Sequence, residues 1–333
     1  MNILIIQTAF IGDVILLLPL VQKLKRRYPD SAVDVMVRKG NESVLLKDPR
    51  IRRVIVWDKK HSRYRNLIKI IREVRRAKYD YLFNLHRFFS SGMVTLFSGA
   101  KDRRGFDKNP LSGFYTRKFI HRFGTKQNPI HEVDRNLSLL EGIADTVRER
   151  PEVFIPNETE DRVRTLLPAG KKFAVIAPAS VWFTKQFPAA RWVEVIQTVL
   201  PDHRVYLTGS PEDFPLCENI RKSSRHPDCI NLCAKDFGLL ESACLMKYAD
   251  RVYVNDSAPL HLAGAVNAKV SAVFCSTVPA FGFFPLSDDS RIIEIREPLP
   301  CRPCGLHGFK KCPEGHFKCA ENINTHAFHL NQE

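Results

Sequence analysis

A single carboxylate, Asp13, interrupts the run IGDVILLLPL (11–20) at the point where a β-rich stretch hands over to an aliphatic helical one. An acid there is either a general base kept ionised by a helix start or a cap for that helix's unpaired N–H groups. Further along, three segments place small or polar residues where a strand gives way to a helix. APASVWFTKQFP offers Ser180, Thr184 and Lys185; RVYLTGSPED offers Gly209, Ser210, Glu212 and Asp213; YVNDSAPLHLAGA offers Asp256, Ser257 and His261. A helix N-terminus presents unpaired N–H groups and partial positive charge, which suits a phosphate, and Pro259 is compatible with a helix beginning near residue 258. Taken singly, NDSAP is a capping sequence and Lys185 a surface lysine. Three such loops at one end of a sheet instead describe a nucleotide-diphosphate site. No G-x-x-x-x-G-K-[ST] is present and no G-x-G-x-x-G follows a strand, which argues against P-loop and standard dinucleotide-binding chemistry.

A second cluster, CRPCGLHGFKKCPEGHFKC, sets Cys301, Cys304, Cys312 and Cys319 together with His307 and His316. Its C-x₂-C front is the usual first half of a structural zinc site, but the later spacings are shorter than in common zinc modules, so free thiols, disulfides and an iron–sulfur group stay open. The tail reads as structural rather than catalytic. The other five cysteines, Cys217, Cys229, Cys233, Cys244 and Cys275, lie in apolar or helical settings and read as reduced core thiols.

The elements that must position these groups alternate in type, the pattern of parallel sheets with helical crossovers. Strands are predicted at 2–7, 32–37, 53–57 and 79–85, with helices near 13–27, 63–77 and 131–144. RERPEVFIPNETED then breaks the pattern, its prolines marking a linker near 150–158 and its NETED a helix start with acids in the first turn. Behind it strands are predicted at 172–180, 204–210, 251–257 and 269–276, with helices near 189–200, 212–223, 238–249 and 259–266. Two doubly wound α/β halves follow, with ligands expected outside the carboxyl ends of their strands.

A chain of 333 residues, 44% hydrophobic and 26% charged, suits two ordinary globular domains. The formal net charge is +15, and residues 1–150 alone, with 31 Lys+Arg against 15 Asp+Glu, carry +16. A polyanion is therefore an expected partner of the first half. Helix-turn-helix, zinc-finger and RRM signatures are missing, and the basic residues are not interleaved with aromatics, so nucleic acid is the remote alternative. No apolar run approaches the roughly 20 residues of a membrane span, and Asp13 interrupts what would be a signal segment, so the expected location is cytoplasmic.

Three ordered segments, IGDVILLLPLVQKLKRRYP, PASVWFTKQFP and NDSAPLHLAGA followed by VFCSTVPAFGFFPLS, resemble the bacterial heptosyltransferases of glycosyltransferase family 9. The resemblance implies a GT-B fold: two Rossmann-like domains with parallel sheets facing across a cleft. Residues 1–155 would bind acceptor, 156–319 would bind the nucleotide sugar, and a C-terminal helix within 320–333 would pack back toward the first domain. It implies inverting, metal-independent transfer of heptose from ADP-heptose to the inner core of lipopolysaccharide. The acceptor would be a lipid-linked glycan at the inner membrane surface, and no cofactor is implied.

Carried over by position, Asp13 is the catalytic base, ionised at neutral pH with an ordinary pKa near ~4. Lys185 lies beside the diphosphate, Ser180 takes the place of a small hydroxyl residue, and Asp256, Ser257 and His261 match the phosphate loop. Glu212 is assigned to a ribose or base contact, with Asp213 competing, and Gly209 belongs to the same loop. Ala258 stands where the family usually has glycine, and FCSTVP where a G-P-T-like stretch is common. Arg63, Arg65, Arg103 and Arg104 are candidates for the anionic acceptor. Other nucleotide-diphosphate sugars, or a sugar-nucleotide epimerase of the same fold, are the alternatives.

Overall fold

The structure is a computed structural model that describes residues 1–329 except Ser62, Lys126 and Lys235, and except the side chain of Arg63. The chain divides into two units, one of residues 1–124 and 130–154, the other of residues 125–129 and 155–333. The division at 154/155 falls inside the expected linker, and the short segment 125–129 groups with the second unit.

The first unit is a parallel sheet in the order β3-β2-β1-β4-β5-β6, formed by β1 (Asn2–Ile6), β2 (Ala32–Arg38), β3 (Arg53–Trp57), β4 (Tyr81–Asn84), β5 (Asp102–Phe106) and β6 (Arg117–Phe119). Its crossovers include α1 (Ile11–Ile15), α2 (Leu18–Arg27), α3 (Arg63–Arg76), α4 (Phe89–Phe97) and α5 (Glu132–Ser138). The single helix expected over 13–27 is two. Pro19 lacks an N–H, which only the first turn of a helix tolerates, so the chain restarts at Leu18. Leu4, Ile6, Met36, Trp57 and Leu82 form part of the apolar layer under the sheet. Asp34 sits within β2 fully buried, and the Arg52 guanidinium beside it donates two hydrogen bonds at 2.7 and 2.8 Å. Burial would raise its pKa, but these bonds and that from Tyr79 hold it below the ordinary carboxylate value.

The second unit repeats the plan in the order β12-β11-β10-β7-β8-β9, all pairs parallel. These strands are β7 (Phe173–Ala177), β8 (Arg204–Leu207), β9 (Cys229–Asn231), β10 (Arg251–Asn255), β11 (Val270–Phe274) and β12 (Ser290–Glu294). The helices are α6 (Asn157–Arg164), α7 (Ala189–Val199), α8 (Phe214–Ser224), α9 (Leu239–Tyr248), α10 (Ala258–Ala265) and α11 (Lys318–Glu321). The central strands β7, β10 and β11 are buried along their whole length, as expected of a sheet covered on both faces. No described helix is long and apolar enough to cross a membrane.

Four strands escape the sequence reading: β5, β6, β9 and β12. All lie at or next to a sheet edge, where DRRGF, RKF, CIN and SRIIE lack the continuous apolar run of a central strand. A helix over 320–333 is also not what forms. The described residues hold only α11 and a 3₁₀ turn at Thr325–Phe328, while 330–333 lie outside the described residues. Phe328 of that turn is fully buried, its ring 5.9 Å from those of Phe187 and Tyr253 and 6.0 Å from Trp192. The C-terminal segment is thus a plug in the second core. Phe328→Ala should cost about 3–5 kcal/mol of unfolding free energy, as for other large-to-small core changes, read from chemical denaturation.

Candidate active site

Asp13 is the third residue of α1, and its Oδ2 accepts the N–H of Phe10 at 3.1 Å. The capping role is therefore real, and the side chain is half-buried rather than sealed in the core. It stands beyond the carboxyl end of β1, as a residue that meets a ligand in a parallel sheet should. Around that edge Lys59 donates to the carbonyl of Thr8 at 2.9 Å, and Arg38 lies 4.9 Å over the ring of Phe10. His86, buried after β4, exchanges a hydrogen bond with the Thr8 hydroxyl at 3.0 Å. Burial, then the positive charges of Lys59, Arg87 and Arg38, push its pKa down to about 3, so it is neutral at physiological pH.

The acceptor candidates separate. Arg104 is buried and donates to the carbonyls of Leu139 and Glu141, and Arg103 donates to that of Ala100. Arg104 is thereby taken up inside the first unit, which removes it from the acceptor candidates, while Arg103 is half-buried. Arg65 is exposed and lines an open groove of about 900 Å³ beside α3, shared with Arg53, Lys69, Arg72 and Arg76. The Arg63 side chain lies outside the described residues.

In the second unit the loop after β7 and the start of α10 come together. Lys185 Nζ is 2.7 Å from Asp256 Oδ2, with the two side chains 15% and 6% exposed. Asp256 also accepts the Thr277 hydroxyl at 2.6 Å. Ser257 is the N-cap of α10 and makes no side-chain capping bond. The N-terminal dipole of α10 thus adds positive potential beside the Lys185–Asp256 pair. Ala258 opens the helix and is not among the residues with positive φ, so the substitution for glycine brings no backbone strain. His261, buried one turn later, has its pKa lowered to about 4, by burial first; Asp256 opposes the shift and Lys185 adds to it. At neutral pH it is a hydrogen-bonding group rather than a cation.

The remaining candidates occupy the same edge of the sheet. Ser180 is half-buried; its N–H donates to Gln186 at 3.2 Å and its hydroxyl accepts the Trp182 N–H at 3.4 Å. Gly209 follows β8, and a Cβ there would lie 2.9 Å from the Asp213 side chain and 3.1 Å from Cys233 Sγ, so the turn closes only around glycine. Asp213 accepts both the N–H and the hydroxyl of Ser210, at 2.8 and 2.9 Å, while Glu212 is exposed.

Sequence reasoning missed Asn255, whose amide accepts the Phe187 N–H at 2.9 Å and donates to Pro178 O at 2.8 Å, tying the Lys185 loop to β10. It missed Thr277 too; only the pairing of β10 with β11 brings that hydroxyl to Asp256. The tail cysteines are all free, with Cys301, Cys304 and Cys312 half-buried and Cys319 buried. Among the described residues they do not converge with other ligand types as a metal-holding group. Burial pushes the Cys319 thiol up to about 11, which keeps it protonated.

Residues 67–307 match glycosyltransferase family 9 (heptosyltransferase). The chain belongs to this family. It is 28% identical over 320 residues to lipooligosaccharide heptosyltransferase 2 of Haemophilus influenzae, covering 89% of each protein. The ADP-heptose LPS heptosyltransferase II of E. coli superposes with a TM-score of 0.75 at 21% identity, over 97% of this chain and 98% of that one. E. coli heptosyltransferase WaaC, solved with ADP-2-deoxy-2-fluoro heptose, does so at 0.70 and 20% identity, over 89% and 93%. The enzyme is thus a glycosyltransferase with the two parallel α/β units of the GT-B fold.

Two of the buried histidines, His86 and His261, set an acid limit. Above about pH 6.5 each is neutral in folded and unfolded chains; below it the unfolded chain binds protons that the folded one refuses until about pH 4 for His261 and about pH 3 for His86. Stability should therefore fall with pH through this window by up to about 1.4 kcal/mol per pH unit for each histidine. Urea unfolding at about pH 7 and about pH 5 measures it, and His86→Gln or His261→Gln should flatten the dependence.

Proposed function

We propose that this glycosyltransferase moves a heptose from ADP-heptose to the inner core of lipopolysaccharide in one inverting displacement. The observation that carries the reading is the Lys185–Asp256 pair held at the start of α10, a fixed cation beside a helix N-terminus. Its family membership and the ADP-heptose analogue held by its structural relative support the donor.

In the reaction, Asp13 takes the proton of an acceptor hydroxyl as that oxygen forms its bond to the anomeric carbon. The bond from that carbon to the diphosphate breaks on the opposite face, and the electron pair leaves with the nucleotide. Lys185 and the N–H groups of α10 neutralise the charge that grows on the departing phosphate, so the leaving group needs no bound metal. Ser180, Ser257 and His261 hydrogen-bond the donor, and Glu212, on the turn that Gly209 closes, contacts its ribose or base. The cationic groove beside α3 suits a phosphorylated, carboxylated glycan on a lipid, which supports a reading in which the enzyme works at the cytoplasmic face of the inner membrane.

Asp13→Asn retains an oxygen able to cap α1, so the fold should survive with an unchanged melting temperature. Turnover with ADP-heptose and a heptose-deficient core acceptor should fall about 10²-fold or more, the usual contribution of a general base. Near-normal turnover would reduce Asp13 to a cap. In the wild type, activity should persist in excess EDTA, and NMR of the product should show the inverted anomer.

A further inference from the structure

The cysteine-bearing tail reaches the Lys185 loop through a set of contacts that packing alone does not require. Thr184, only 1% exposed, is the residue before Lys185. Its hydroxyl oxygen accepts the Phe309 N–H at 2.7 Å and the Ser276 hydroxyl at 3.0 Å, and its own proton points to Phe309 O at 3.4 Å. The main chains are joined as well, Thr184 N–H donating to Phe309 O at 3.1 Å and Cys304 N–H to Ser276 O at 2.9 Å. Between these bonds runs Gly308, buried with φ of +76°; a Cβ there would lie 2.8 Å from Thr184 Oγ1 and 3.0 Å from Lys185 Cγ. The tail therefore lies directly against the stem of the lysine.

The other member of the ion pair is reached from the same segment. Arg302 donates to the carbonyl of Thr277 at 2.8 Å, and Thr277 holds Asp256. One loop thus braces both the cation and its counter-ion. A lysine side chain loses rotamer freedom when it meets a phosphate, and a stem already packed on glycine backbone has lost part of it beforehand.

We propose that Thr184 and Gly308 are positioning residues for Lys185: they seat the tail against its stem so that the ammonium is set in place before the diphosphate arrives. The proposal rests on the reading of Lys185 as the diphosphate cation. It assigns the tail the task of orienting a binding group.

Binding of ADP and of AMP, measured by isothermal titration calorimetry on the full chain, tests it. Thr184→Val keeps the side-chain shape but removes the acceptor for Phe309 N–H and Ser276 Oγ–H. ADP binding should weaken about ten-fold, Thr184→Ser should recover it to within about two-fold, and AMP binding should change little because the second phosphate is missing. Gly308→Ala should weaken ADP binding likewise. In a Lys185→Ala background, Thr184→Val should add no further loss, since two residues that act through one interaction are not additive. If Lys185→Ala loses ADP while Thr184→Val and Gly308→Ala bind it as the wild type does, the positioning role is wrong and the donor reading stands. Equal losses for ADP and AMP, or full additivity with Lys185→Ala, would show an effect on the fold and overturn the proposal. A wild type that does not bind ADP would overturn the donor reading beneath it.

Discussion

Two opposite charges withdrawn from water, on Lys185 and Asp256, set the terms for much of the second unit. Desolvating such a pair is costly, and its mutual attraction compensates only when geometry is good and the remaining polar atoms are satisfied. Here Thr277 gives the carboxylate a further hydrogen bond, while the close approach of Gly308 packs the aliphatic stem of the lysine. Those contacts depend in turn on Ser276, Thr184 and Arg302. The polar network around this pair therefore extends well beyond the two motifs that supply the charges.

The first unit faces a related constraint with a single acid. Asp13 satisfies the Phe10 N–H at the start of α1, and that bond orients the carboxylate beyond the end of β1. Capping and proton abstraction are compatible, because one oxygen in a bond to the main chain fixes the side chain while the carboxylate remains only half-buried. The basic residues nearby work differently from their sequence appearance. Arg103 and Arg104 support the main chain, whereas Arg65, Lys69, Arg72 and Arg76 line one open groove. A run of arginines does not reveal which guanidinium faces carbonyl oxygens and which faces solvent.

How much was legible follows the strength of the local signal. Central strands such as FAVIA and RVYVN are buried on both faces and announce themselves as apolar runs between turns. Edge strands such as RKF and SRIIE bury less and were missed. Candidate site residues were legible where strand–loop–helix junctions combine a polar residue with a helix start, as at Asp13, Lys185 and NDSAP. Thr277 and Gly308 carry no such mark, and Asn255, although it lies within NDSAP, shows no role there, because their roles come from neighbours 21, 124 and 68 positions away, respectively, at Asp256, Thr184 and Phe187.

By itself the sequence determined the alternation of elements, the concentration of positive charge in residues 1–150, and the junctions that bear the chemically capable side chains. These are local properties, set by periodicity, composition and capping within a few residues. Tertiary structure alone decided that Lys185 pairs with Asp256, that the last aromatic residue plugs a core rather than riding on a helix, and that the tail lies on the lysine stem. Each depends on strand order and on loops brought together from distant parts of the chain, and long-range contacts of this kind leave no periodic trace in a single sequence.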